Sequence, residues 1–91
     1  MNYPTEKELR RIEKWPYTDF VGLMEFIESI WEFKEWGFNR TKSSYQLSTG
    51  GWSGNESIID AMQKNIIFWS VCWNSSRRGG HYVFRLPKRK K

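Results

Sequence analysis

The apolar positions along this chain alternate between two spacings, and each change of spacing marks a change of element. Phe20, Leu23, Met24, Ile27, Ile30 and Trp31 recur at helical intervals, with Glu25, Glu28, Ser29, Glu32 and Glu35 opposite them. This pattern predicts an amphipathic helix that Thr18 or Asp19 can cap and that runs to about Trp36, where Gly37 ends it. Phe26 and Phe33 widen its apolar arc beyond the roughly 100° stripe a surface helix needs. They are expected to pack under a preceding helix, or else to mark a dimer seam. That first helix is announced by Thr5-Glu6-Lys7-Glu8 after Pro4, a capping-box pattern, and it runs to about Lys14 before Pro16 stops it.

Beyond Gly37 the period shortens. Residues 39–47 read as a polar strand with Tyr45 and Leu47 on one face. Ser53-Gly54-Asn55-Glu56 matches a second capping box, opening a helix whose Ile58, Ile59, Met62 and Ile66 form a stripe and which Asn65 can close. Residues 67–74 alternate, with Ile67, Trp69, Val71 and Trp73 on one side, and read as a central strand. Residues 81–86 alternate too, bringing Tyr82, Phe84 and Leu86 together. Arg77-Arg78-Gly79-Gly80 between them is a hairpin turn, its glycines supplying positive φ. The expected order is ααβαββ: an α+β domain with helices on one face of a three-stranded antiparallel sheet. Residues 1–87 form one globular domain in this reading, and residues 88–91 a basic tail.

A chain of 91 residues hides only about 60% of the surface its unfolded form exposes, so its core must be efficient. Six Trp, six Phe and four Tyr supply it, and some of those rings are expected to be left over for a ligand or partner. Charge is divided unevenly. Residues 1–36 hold five Lys/Arg against eight Asp/Glu, giving −3; residues 37–91 hold ten against two, giving +8. An anionic partner is therefore expected for the second half.

The chain has one cysteine, Cys72, and one histidine, His81, which excludes an internal disulfide and leaves too few ligands for a zinc site. Cys72 lies in an aromatic run and reads as a buried, inert thiol. No N-terminal apolar run resembles a signal peptide and no stretch of about 18 apolar residues could span a bilayer, so a cytoplasmic protein without a membrane partner is expected.

Candidate chemistry concentrates in two turns. In Ser48-Thr49-Gly50-Gly51-Trp52-Ser53-Gly54-Asn55-Glu56, glycines precede a helix N-terminus, whose free amides and partial positive charge suit a phosphate, while Trp52 could stack a flat ring. Trp52, Ser53, Gly54 and Asn55 are the candidate binding residues here. A plain structural role, capping by Ser53 and core packing by Trp52, explains the same letters. No lysine completes a Walker motif. In Ser75-Ser76-Arg77-Arg78-Gly79-Gly80-His81-Tyr82, the Arg77 and Arg78 guanidinium forks suit bidentate contact with phosphate, and Ser75, Ser76 and His81 add donors. The alternative is an exposed hairpin kept soluble by its arginines. Catalysis is not expected: only His81 could act as a base, and Asp19 or Asp60 would have to orient it.

These two motifs together resemble those of small uncharacterised proteins encoded by bacteriophages and prophages. The resemblance covers about half the chain and implies a setting rather than a reaction. It suggests an accessory protein in the host cytoplasm, with counter-defence as one role. The expectation is thus a non-enzymatic binding protein without a cofactor. It would hold a phosphate-bearing ligand such as a nucleotide signal between the Trp52 turn and the arginine hairpin. Two alternatives stand beside it. One is a nucleic-acid binder using the same arginines with Lys42, Arg85 and the C-terminal lysines. The other is an inhibitor that contacts a host protein directly, and a homodimer is compatible with each.

Overall fold

Local capping chemistry sets the first two helices. In the computed structural model, which describes residues 3–42 and 44–87, the Glu8 amide donates to Thr5 Oγ1 (3.1 Å) and the Thr5 amide donates to Glu8 Oε1 (2.8 Å). This closes the expected capping box of α1 (Glu6–Glu13). The Asp19 carboxylate accepts the Gly22 amide at 3.1 Å and caps α2 (Phe20–Ile30). The basic tail expected at residues 88–91 lies outside the described residues.

The second helix stops at Ile30 and does not reach Trp36. Trp31 is already extended, and the buried Asn55 side chain takes both backbone groups of Glu32: the Glu32 amide donates to Oδ1 and Nδ2 donates to the Glu32 carbonyl, each at 3.0 Å. A peptide held this way cannot pass its groups on along a helix. Phe33 follows in the left-handed region (φ 60°), and a single turn, α3 (Lys34–Gly37), leads into the sheet.

Four strands form that sheet, one more than the sequence suggested: β1 (Phe38–Arg40), β2 (Tyr45–Ser48), β3 (Trp73–Arg77) and β4 (His81–Phe84), all antiparallel in the order β1-β2-β4-β3. The extra strand arises because the run at 39–47 folds back on itself. The Thr41 amide donates to the Ser44 carbonyl (2.8 Å) and the Ser44 amide donates to Thr41 Oγ1 (3.0 Å), which makes a tight turn between β1 and β2.

The remaining helices are α4 (Ser53–Lys64) and α5 (Ile66–Cys72). The strand expected at 67–74 is thus mostly helix, and the strand that follows it lies at an edge of the sheet, not its centre. Asn65 is the cause. Its Oδ1 accepts the Phe68 amide (3.2 Å), capping α5, while Nδ2 donates to the Ile12 carbonyl (3.0 Å) and the Trp15 carbonyl (3.2 Å) at the end of α1. With the helix so anchored, Phe68 and Cys72, four residues apart, face the core, and Ile67 and Val71 face out. A short apolar run fits either period, and a cap decides between them.

Residues paired directly across antiparallel strands share a face. One face carries Phe38 opposite Leu47 and Tyr45 opposite Phe84, all buried against the helices. Phe68 ties the layers together, its ring 5.2 Å edge-on from Phe20 and 5.5 Å from Phe84. Burial pushes the Cys72 thiol up to about 12, as an inert core thiol requires. The opposite face is the more exposed one among the described residues. Asn39, Gln46, His81 and Arg77 are exposed there, and Ser48, Ser75 and Val83 are half-buried.

Candidate anion-binding surface

The two glycine turns meet at one end of the sheet. The Thr49 amide donates to the Gly80 carbonyl at 3.0 Å, and Ser48 Oγ lies 2.8 Å from His81 Nδ1. Gly80 has φ 78°, and a Cβ there would overlap Thr49 Oγ1, so both its conformation and its packing require glycine. Gly50 is held the same way: φ is 63°, and a Cβ would stand 2.9 Å from the Trp36 ring.

Around the first turn, side chains spend their chemistry on the fold. Trp52 is half-buried between Tyr3 (ring centroids 5.0 Å apart) and Phe33 (6.4 Å, edge-on), and its Nε1 is buried without an acceptor. Ser53 Oγ bonds the Tyr3 hydroxyl at 2.9 Å. Gly54 is buried, and a Cβ there would come within 2.8 Å of Trp52 Nε1. Asn55, besides bridging Glu32, donates to the Thr49 carbonyl at 3.4 Å. The second capping box does not form: Trp52 is the residue that starts α4, it makes no side-chain cap, and Ser53 already lies inside the helix with its hydroxyl on Tyr3.

The second turn keeps its side chains outside. Ser76, Arg77, Arg78 and His81 are exposed and Ser75 is half-buried. Ser48, His81 and Arg77 are successive partners across β2, β4 and β3, so a hydroxyl, an imidazole and a guanidinium stand in one row on the open face. The carboxylates that could have oriented His81 are elsewhere: Asp19 caps α2, and Asp60 pairs with Lys64 at 3.3 Å.

Residues 37–55 and 65–91 contain no Asp or Glu, so the strands and the turns joining them bear only positive charge. Arg77 and Arg78 mark one end of the sheet; Arg40, Lys42 and Arg85 mark the other. Among the described residues Lys64 with Asp60 is the one ion pair, which leaves these five cations without a carboxylate.

At the far end the structure adds a feature that sequence reading did not assemble: a cleft of about 330 Å3 between the β1–β2 turn and the chain leaving β4, with Arg40, Lys42 and Arg85 on its walls. Lys42 and Arg85 are expected from sequence only as two of the cations of a nucleic-acid binder, and nothing local in sequence joins positions 40 and 85. A second cleft of about 440 Å3 lies on the helical side at Arg10, Arg11 and Lys14; there Arg11 is already stacked on Trp15 (5.0 Å) and Phe26 (4.8 Å). Phe26 thus packs beneath α1 as expected, stacked at 5.4 Å on Trp15, whereas Phe33 is 55% exposed. Further round, α5 and β3 show solvent an uncharged surface of Ile66 (73% exposed), Ile67, Val71 and Trp73.

Among the described residues no group of His, Cys, Asp and Glu could hold a metal ion, and no helix is long and apolar enough to cross a membrane. Comparison with protein families, with curated proteins and with solved structures found no match to this chain.

Proposed function

We propose that this protein is a non-enzymatic binding module for phosphate-bearing polyanions, with a nucleic-acid strand laid along the open face of its sheet. The observation that carries this reading is the carboxylate-free sheet with cations at both ends. Steps of about 3.3 Å per residue put roughly 13 Å between His81 at the start of β4 and Arg85 just beyond its end, about the rise of four stacked nucleotides. One small anion does not bridge that distance; a strand does. Between the cationic ends, Asn39, Gln46, Ser48, Ser75 and His81 offer hydrogen-bonding groups, with Val83 the apolar member among them.

Nucleotide capture between Trp52 and the hairpin draws less support, because Trp52, Ser53, Gly54 and Asn55 are occupied by neighbours within the fold. Salt separates the two. If about five phosphates are neutralised, the affinity for a single-stranded oligonucleotide should fall on the order of a hundredfold between 50 and 200 mM salt. Fluorescence anisotropy at the two salts checks this. Tight binding of a mononucleotide with little salt dependence, and none of the oligonucleotide, would return the argument to a small ligand. The exposed apolar surface of α5 and β3 favours a second reading, direct contact with a protein partner, which would show as a complex insensitive to salt.

A further inference from the structure

The cleft at the far end of the sheet lies on the side of Tyr45 and α2, not on the open face, and is more selective than that face. Three cationic side chains, Arg40, Lys42 and Arg85, share it, and none of the described residues that line it carries a carboxylate. Arg40 is held in place, its guanidinium 5.5 Å from the centre of the Tyr45 ring, and Tyr45 is itself buried and paired with Phe84. The turn carrying Lys42 is fixed by Thr41 Oγ1, 2.8 Å from Ser44 Oγ and 3.0 Å from the Ser44 amide nitrogen. Arg85 is tethered through its own amide, which donates to the Cys72 carbonyl at 2.7 Å. The rest of the lining is apolar: Val21, Leu86 and Pro87. In sequence, Pro87 is followed directly by Lys88, Arg89, Lys90 and Lys91, which concentrates further positive charge near this end of the chain.

Such a site distinguishes among phosphates. A phosphodiester in a strand carries one negative charge, whereas a terminal phosphomonoester carries about −1.5 to −2 near neutral pH and offers three acceptor oxygens. Three cations on one small cleft match the second. The apolar wall adds a demand that a bare ion does not meet: the phosphate must come attached to a flat or apolar body.

We propose that the cleft between the β1–β2 turn and the chain leaving β4 is a phosphomonoester site, taking the terminal phosphate and end nucleotide of a strand. This rests on the reading of the sheet as a surface for phosphate-bearing polyanions and names where such a strand ends. A free mononucleotide carries the same chemistry, and the test separates the two sources.

The experiment measures, at one fixed salt, the binding of short single-stranded oligonucleotides bearing a 5′-phosphate, a 3′-phosphate or only hydroxyl ends, together with adenosine monophosphate. The parent protein, Arg85→Gln, Lys42→Gln and Arg78→Gln are compared, with melting curves as the check on folding. A terminal phosphate should tighten binding by about tenfold, the worth of a charge-assisted hydrogen bond. That preference should vanish in Arg85→Gln, shrink in Lys42→Gln and persist in Arg78→Gln. Arg85→Lys, which keeps the charge, should recover part of it. Equal affinity for all three oligonucleotides in the parent would overturn the cleft as a phosphomonoester site and leave the polyanion surface standing. Binding of adenosine monophosphate alone, lost in Arg85→Gln, would keep the cleft, make its ligand a free nucleotide and overturn the strand reading. Binding of none of the four would overturn both.

Discussion

The turn at Gly50-Gly51 and the turn at Gly79-Gly80 are written in nearly the same letters, glycines beside hydroxyls, a polar donor and an aromatic, and the fold uses them in opposite ways. The first joins the interior strand β2 to α4, so the chain after it returns over the core, and Trp52, Ser53, Gly54 and Asn55 find partners at once in Tyr3, Phe33, Pro4 and Glu32. The second joins the edge strand β3 to β4, and among the described residues no element returns over it; Arg77, Arg78 and His81 remain exposed. A donor-rich turn is available to a ligand only where its neighbours leave it unsatisfied, and position in the sheet decides that.

The largest effect that would sharpen this contrast is expected at the first turn. Asn55→Ala strands the backbone groups of Glu32 and a bond to Thr49, and should destabilise by about 3 kcal/mol, lowering the melting temperature by more than about 10 °C. A variant that melts like the parent but binds oligonucleotide poorly would break the comparison, making Asn55 a ligand residue. The two glycines of the second turn should separate next. Gly80→Ala forces a methyl into Thr49 as well as a left-handed alanine, for at least about 2 kcal/mol; Gly79→Ala, whose Cβ would meet nothing nearer than 3.4 Å, should cost only the conformational term of about 1 kcal/mol. Equal losses in thermal unfolding would mean that the two turns do not press on each other.

Smaller still, in stability, are Arg77→Ala and Arg78→Ala, each within about 0.5 kcal/mol of the parent because both side chains are exposed. Their effect belongs to binding: each should weaken an oligonucleotide by about tenfold and flatten the salt dependence by about 0.7 for every phosphate it no longer neutralises. Unchanged affinity and slope in the double variant would make this turn as structural as the first.

Cys72 offers a readout of stability that is independent of binding. With its thiol pushed up to about 12 by burial, it stays protonated in the folded protein across the neutral and mildly alkaline range, and should react with iodoacetamide at pH 8 only when the fold opens. Asn55→Ala should accelerate labelling, and the arginine variants should leave its rate unchanged. Fast labelling of the parent would contradict the burial on which this rests.

Much of the architecture was legible in the sequence, and it was legible where the cause is local. The capping box at Thr5 and the Asp19 cap each lie within three residues of what they satisfy. The stripe of α4 at Ile58, Ile59 and Met62 and the alternation of β4 are periodic patterns imposed by one buried face, although Ile66, counted in the same stripe, belongs to α5 and is exposed. The glycines at 79 and 80 supply positive φ that the turn between β3 and β4 uses. The absence of Asp and Glu from residues 37–55 and 65–91 could be counted directly.

What the sequence left open depended on groups far apart in the chain. Two asparagines that read as a ligand donor and a helix stop are both clamps across the fold: Asn55 reaches Glu32 and ends α2 early, and Asn65 reaches Ile12 and Trp15 and turns an apparent central strand into α5. Trp69 and Trp73, which alternation placed on one side of a central strand, instead stack at 6.1 Å between α5 and the edge strand, with Trp73 41% exposed. The cleft at Arg40, Lys42 and Arg85 exists because β2 and β4 pair. By itself the sequence determined the starts of α1 and α2, the apolar faces of α2 and β4 and the sign of the charge, since each follows from neighbours within a few residues. Tertiary structure alone decided which polar groups were consumed and which cations gathered at one end, because both depend on what a distant segment brings within hydrogen-bond reach.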